Sequence, residues 1–220
     1  MITDPALAPT AMINSDHPDV IAFAHAAIGD AADEKTQAIR IYYAVRDKIR
    51  YDPYRVDLSE AGLSASRALS NGYGSCVPKA ALMAAACRAV GVGARVGYAD
   101  VYNHLSTQRL REAIGTDIYY FHGYTSVRIG DRWIKATPTF NVELCAKLKL
   151  ATLEFDGEND SIFHPFSADG ARHMEYLQFH GEFDDVQRSS ILAAYAEHYP
   201  NFEVLGTADW DRDIEREGAA

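Results

Sequence analysis

The run from Cys76 to Val90 constrains the fold more than any other stretch. Ala80, Ala81, Leu82, Met83, Ala84, Ala85, Ala86 and Ala89 leave it almost without a polar face. Alanine and leucine favour helix, and a helix that is apolar all round is stable in water only when neighbours cover it on every side. Gly91 supplies its C-terminal stop. The rest of the chain must therefore wrap this helix. With 220 residues, 48% of them hydrophobic and 24% charged, the chain has the apolar material to do so as one globular domain.

Apolar spacing predicts the wrapping elements. Residues 1–16 carry Pro5 and Pro9 without a periodic pattern and read as a loose arm. Helices are expected from Pro18 to Ile28, from Asp33 to Arg50 and from Ala65 to Leu69. A strand from Arg95 to Val101 and a short helix from Ser106 to Ile114 follow. A hairpin then joins Tyr120–Ile129 to Arg132–Thr137 through Gly130-Asp131. Helices first and an antiparallel sheet second define an α+β fold. Beyond Asn141 the reading is a strand at Leu150 to Phe155, a loop from Asp156 to Asp169, a strand at His173 to His180, a closing helix from Gln187 to Tyr199, and a frayed tail from Thr207 to Ala220. The expected organisation is a single domain over 1–220, with a core at 33–141 and a C-terminal extension at 142–205 packed on it.

The start of the buried helix carries the chemistry. Gly72 and Gly74 permit a sharp turn, Ser75 is a good N-cap, and Pro78 is tolerated in the first turn, so Cys76 opens the helix. Free amide N–H groups and the helix dipole there favour thiolate over thiol, and the same amides could hold an oxyanion. The alternative is a small residue packed at a helix end, the reading kept for Cys87 in mid-helix and for Cys145. Three cysteines make no disulfide framework. Cys76 and Cys87 would stand about 16 Å apart along one helix, beyond the roughly 7 Å reach of a disulfide.

A base is expected on the hairpin. Pairing outward from Gly130-Asp131 matches Ile129 with Arg132, Val127 with Ile134, Thr125 with Ala136 and His122 with Thr139, with Thr137 on the diagonal from His122. A threonine hydroxyl can orient an imidazole but adds no charge to stabilise an imidazolium.

Charge and spacing exclude other classes. Lys plus Arg number 21 against 31 Asp plus Glu, a formal charge of -10 that disfavours nucleic acid and anionic membranes. No apolar run spans a bilayer, and Met1 to Ser15 lacks a signal-peptide pattern, so the expected location is cytoplasmic. The histidines, among them His104, His164, His173, His180 and His198, show no metal-ligand spacing, and Gly91-Val92-Gly93 is no phosphate loop. No metal or other cofactor is expected.

With those residues in view, the sequence resembles the bacterial transglutaminase-like superfamily, in its compact group of cysteine-protease type. The resemblance rests on Gly72-Tyr73-Gly74-Ser75-Cys76, on Arg88-Ala89-Val90-Gly91-Val92-Gly93-Ala94-Arg95, on Phe121-His122-Gly123-Tyr124, and on Trp133 through Asn141. It covers Gln37 to Asn141 and extends to Phe155-Asp156-Gly157 and His173-Met174-Glu175-Tyr176. It implies a papain-like α+β core, with a cysteine at the start of a central helix packed on an antiparallel sheet, Cys76 as nucleophile and His122 as base. The superfamily commonly has Asp-Pro-Thr where this chain reads Thr137-Pro138-Thr139, which puts the aspartate's role on Thr137 or removes it. Asn141 and Asp156 are the other candidates for a third member, and Asn71 is a candidate oxyanion donor, although an asparagine before glycine is more often a turn residue.

The expected function is thiol-dependent acyl transfer or hydrolysis of a peptide or small amide through a Cys76 acyl-enzyme, with His122 as general base and acid. Two alternatives are a catalytically inactive peptide- or protein-binding module and a redox-sensing Cys76.

Overall fold

The computed structural model describes residues 4–103, 106–162, 174–199, 202, 205 and 208–217. In chain order the elements are α1 (Pro18–Ile28), α2 (Glu34–Lys48), β1 (Arg50–Tyr51), α3 (Ala65–Asn71), β2 (Tyr73–Gly74), α4 (Cys76–Ala89), β3 (Ala94–Asn103), α5 (Gln108–Ile114), β4 (Ile118–Ile129), β5 (Arg132–Ala136), α6 (Val142–Lys147), β6 (Met174–Phe183), α7 (Arg188–His198) and α8 (Trp210–Glu217). One sheet is four-stranded in the order β5-β4-β3-β6, every pair antiparallel, and β1 and β2 form a separate parallel pair. This is an α+β architecture with α4 at its centre.

The alanine run behaves as its composition requires. Every residue of α4 from Val77 to Arg88 is buried, against α1, α2 and α3 on one side and β3 and β4 on the other. Alanine lets these neighbours approach closely, and the larger Leu82 and Met83, both 0% exposed, fill the space between them.

Lys79 and Arg88 are the buried charges of α4. Lys79 Nζ donates to the carbonyls of Arg46 and Ile49, satisfying oxygens that the end of α2 leaves open. Arg88 donates to the carbonyls of Ala8, Ala94 and Asp184. One guanidinium thus joins the N-terminal segment, β3 and the chain after β6, a physical role for the first residue of the Arg88–Arg95 motif.

The N-terminal segment differs from the expected loose arm. Ala6 and Ile13 are 0% exposed, and Ala94 N donates to Ala6 O at 2.9 Å. Its apolar side chains pack without helical or strand periodicity, which is why no pattern announces them. The tail also differs: α8 buries Trp210, Asp213 and Ile214, spaced i, i+3 and i+4, and Asp213 takes Arg109 Nε at 2.7 Å and the Tyr54 hydroxyl at 3.1 Å. Residues 150–155 form no strand, and α6 and the β1-β2 pair were not expected. His104, His164, His173 and the end of the 156–169 loop lie outside the described residues.

The hairpin register agrees from Ile129↔Arg132 to Thr125↔Ala136 and then stops. Pro138 has no N–H for a ladder, and the chain turns away as Ala136 bridges Ser161 and Thr137 N donates to Ser161 O at 2.9 Å. His122 is therefore paired with Ala99 of β3 and not with Thr139.

Candidate functional site

The turn into α4 is held by backbone. Gly72 ends α3 in the left-handed region at φ 67°, Tyr73 and Gly74 pair with Arg50 and Tyr51, and α4 begins two residues later. A Cβ on Gly74 would lie 3.2 Å from Pro78 Cγ, so the elbow is closely packed. Ser75 occupies the N-cap position, yet its side chain makes no capping hydrogen bond. The backbone amides of Gly123, Val77 and Cys76 favour the thiolate form of the Cys76 sulfur.

Gly123 is where the sheet meets the helix. A Cβ there would sit 2.9 Å from Val77 Cα and 3.3 Å from the Cys76 carbonyl carbon, both backbone atoms that cannot yield. Only glycine lets β4 come this close, and the approach places the preceding His122 beside the start of α4. Cys76, half-buried, and His122, 3% exposed, line one cleft.

A bulge fixes the strand just before the histidine. Ala99 pairs with His122 and Val101 with Tyr119, so Tyr120 and Phe121 together oppose Asp100. Phe121 takes φ 54°, a conformation that costs a non-glycine residue about 1–2 kcal/mol. Two contacts offset that cost. Phe121 N donates to Asp100 Oδ1 at 3.1 Å, and the Phe121 ring stacks on His180 at 4.4 Å between centroids. His180 Nε2 is 2.8 Å from the same Asp100 oxygen.

The remaining candidates separate. Thr137 is buried, and its hydroxyl lies 3.4 Å from the Tyr176 hydroxyl, while the Tyr176 ring stands edge-on to His122 at 6.4 Å. Tyr176 thus stands between Thr137 and the histidine in the chain of contacts. Asn141 does not line the cleft: its Oδ1 accepts from Tyr51 N at 3.2 Å and its Nδ2 donates to Glu143 at 2.8 Å. Asn71 is exposed at the end of α3 and lines a neighbouring recess with Ser75 and Pro78. Asp156 is exposed and bound within its own loop, where the N–H groups of Glu158 and Asn159 hold its carboxyl down to about 2.

The thiol also departs from expectation. Burial pushes the Cys76 thiol above its ordinary value, and the three backbone amides, which favour thiolate, only partly oppose it. Cys87, enclosed in the core without amide donors, is pushed further, to about 12.

Sequence reasoning missed Gly123, Asp100, His180 and the aromatic lining of the cleft. Gly123 was legible in principle, since a glycine inside a strand signals a close backbone approach. The others meet through contacts between distant segments.

The model of the transglutaminase-like superfamily matches residues 21–138, more than half of the chain. The chain belongs to that superfamily. The matched segment of this transglutaminase-like protein contains Cys76, His122 and Thr137 and ends before Asn141. No curated protein matches the chain. Among solved structures it is similar to a "Putative Cysteine Protease" from Cytophaga hutchinsonii, at 18% identity and a TM-score of 0.47 over 81% of this chain and 53% of that one. It is also similar to an arylamine N-acetyltransferase of Nocardia farcinica, at 20% identity and a TM-score of 0.41 over 63% of this chain and 47% of that one. The chain thus spans about half the length of each. The central helix packed on an antiparallel sheet is the transglutaminase-like, papain-like fold. No helix among the described residues is long and apolar enough to cross a membrane.

Proposed function

We propose that this protein is a thiol enzyme that cleaves or transfers the acyl group of a peptide or small amide. The observation that carries the proposal is the shared cleft, which Cys76 and His122 both line, beside the backbone amides that open α4. Membership of the superfamily supports the same chemistry. Because burial favours the neutral thiol, His122 accepts the Sγ proton as the sulfur attacks, and no ion pair needs to exist beforehand. The S–C bond forms, the carbonyl π pair moves to oxygen, and backbone N–H groups at the elbow receive that charge. When the tetrahedral intermediate collapses, the C–N bond breaks and His122 returns the proton to the leaving amine. Water then gives a hydrolase; a second amine gives a transferase. Thr137 acts through Tyr176 to hold the His122 ring and contributes no charge.

A second reading is a catalytically inactive peptide-binding module, favoured by Thr137 in the slot of the usual aspartate.

The test is the pH dependence of Cys76 alkylation by iodoacetamide in wild type and His122→Ala. Wild type should react near neutrality, and the variant only at alkaline pH, because burial raises the thiol pKa and the base is gone. Superimposable profiles would remove His122 as base and favour the second reading.

A further inference from the structure

We infer that the substrate group seated beside Cys76 is uncharged and flat, an aromatic or extended apolar side chain, and that chain outside the family core shares in selecting it. The inference rests on the acyl-transfer reading and names what that site accepts. Around Cys76 and His122 the cleft is walled by Tyr51, Tyr119, Tyr120, Tyr195, Tyr199 and Phe202, with no Asp, Glu, Lys or Arg among its described lining residues. A carboxylate or ammonium brought there would lose its water and find no opposite charge to offset that loss.

Two of the tyrosine hydroxyls are already engaged. Tyr119 donates to Ser106 Oγ at 2.7 Å, and Tyr199 accepts from Tyr120 N at 2.6 Å and donates to Ile118 O at 3.3 Å. These residues offer ring surface to a ligand. Tyr195 meets Tyr199 edge-on at 4.8 Å and Phe202 edge-on at 5.0 Å, an arrangement that a further ring can extend. The cleft is narrow, with about 30 Å³ of open room between its walls. Tyr195, Tyr199 and Phe202 all lie beyond residue 138, where the family match ends. Half of the wall thus comes from outside the segment that carries the reacting pair, while Tyr51, Tyr119 and Tyr120 come from within it.

The experiment measures labelling of Cys76 by mass in the full chain, each rate divided by that of glutathione. The reagents are three chloroacetamides carrying a benzyl, a carboxymethyl or a trimethylammonioethyl group. The benzyl reagent should react at least tenfold faster than either charged one. Tyr195→Leu and the mouth variant Phe202→Leu should each lower that ratio several-fold, with a thermal melt to confirm folding; the second variant serves if the first does not fold. Equal normalised rates, or preference for a charged reagent, with Cys76 still faster than glutathione, would overturn this inference and leave the acyl-transfer reading intact. Rates no faster than glutathione with every reagent would overturn both.

Discussion

Two of the hydrophobic clusters among the described residues differ in material. One is aliphatic: Ala80 to Ala86 of α4, with Ile41, Val45, Val96, Val127 and Ile134 from the surrounding helices and sheet. The other is richer in aromatic rings and gathers Tyr51, Tyr54, Phe140, Tyr199 and Trp210, beside aliphatic residues, from segments far apart in sequence. Small side chains in the first let backbones touch, which fixes where Cys76 and His122 stand. Large rings in the second make broad contacts and wall the cleft. Position is set by the aliphatic core and the character of the site by the aromatic one.

Substitutions on the two sides should therefore fail differently. Trp210→Ala removes a ring that packs edge-on against Tyr51 at 5.9 Å and Tyr54 at 5.2 Å, and should cost about 3–5 kcal/mol in urea unfolding. Leu82→Ala, in the aliphatic core, should cost about 2–5 kcal/mol. The discriminating measurement is Cys76 labelling by benzyl chloroacetamide in folded protein. It should change in Trp210→Ala, through the loosened Tyr51 wall, and stay at the wild-type rate in Leu82→Ala. The same response in both would erase the distinction.

Lys79 tests the aliphatic side by pH. Burial lowers its pKa to about 7, while the unfolded chain holds its proton to about 10.4. Between these values the unfolded state binds more protons, so this residue makes stability rise with pH across that window and lose the gain as pH falls toward 7. Lys79→Met should flatten the slope by up to about 1.4 kcal/mol per pH unit, read as the difference between the two proteins' unfolding curves. Identical slopes would mean that the buried amine keeps its proton.

The smallest expected effect is that of Tyr199→Phe. It removes the hydroxyl that holds Tyr120 N and Ile118 O while keeping the ring, at about 0.5–1.5 kcal/mol in thermal unfolding.

The same division governs what could be read from the sequence. The α1 boundaries and the hairpin register from Ile129↔Arg132 to Thr125↔Ala136 were legible because they follow from local spacing and one turn. The extrapolation to His122↔Thr139 failed because Pro138 ends the ladder and Ser161, far along the chain, takes its place. Cys76 and His122 could be named from their motifs, and the structure sets both in one cleft. Asn71 and Asn141 could not be placed, since nearness in sequence does not tell which way a side chain faces. The aromatic walls left no signal, because rings that meet across the fold obey no period along the chain. In α8 the helical period existed, but only Trp210 and Ile214 carry its apolar side within a charged segment.

The contact between Gly123 and Val77 is main chain on main chain, with no side chain interposed, so among the two only a replacement of Gly123 would force them apart. The interval from sulfur to imidazole is therefore calibrated by the scaffold itself. Lining side chains that touch neither this contact nor the histidine, such as Phe202, can change without resetting that gauge. A fold built this way separates the tuning of selectivity from the alignment of its reactive pair.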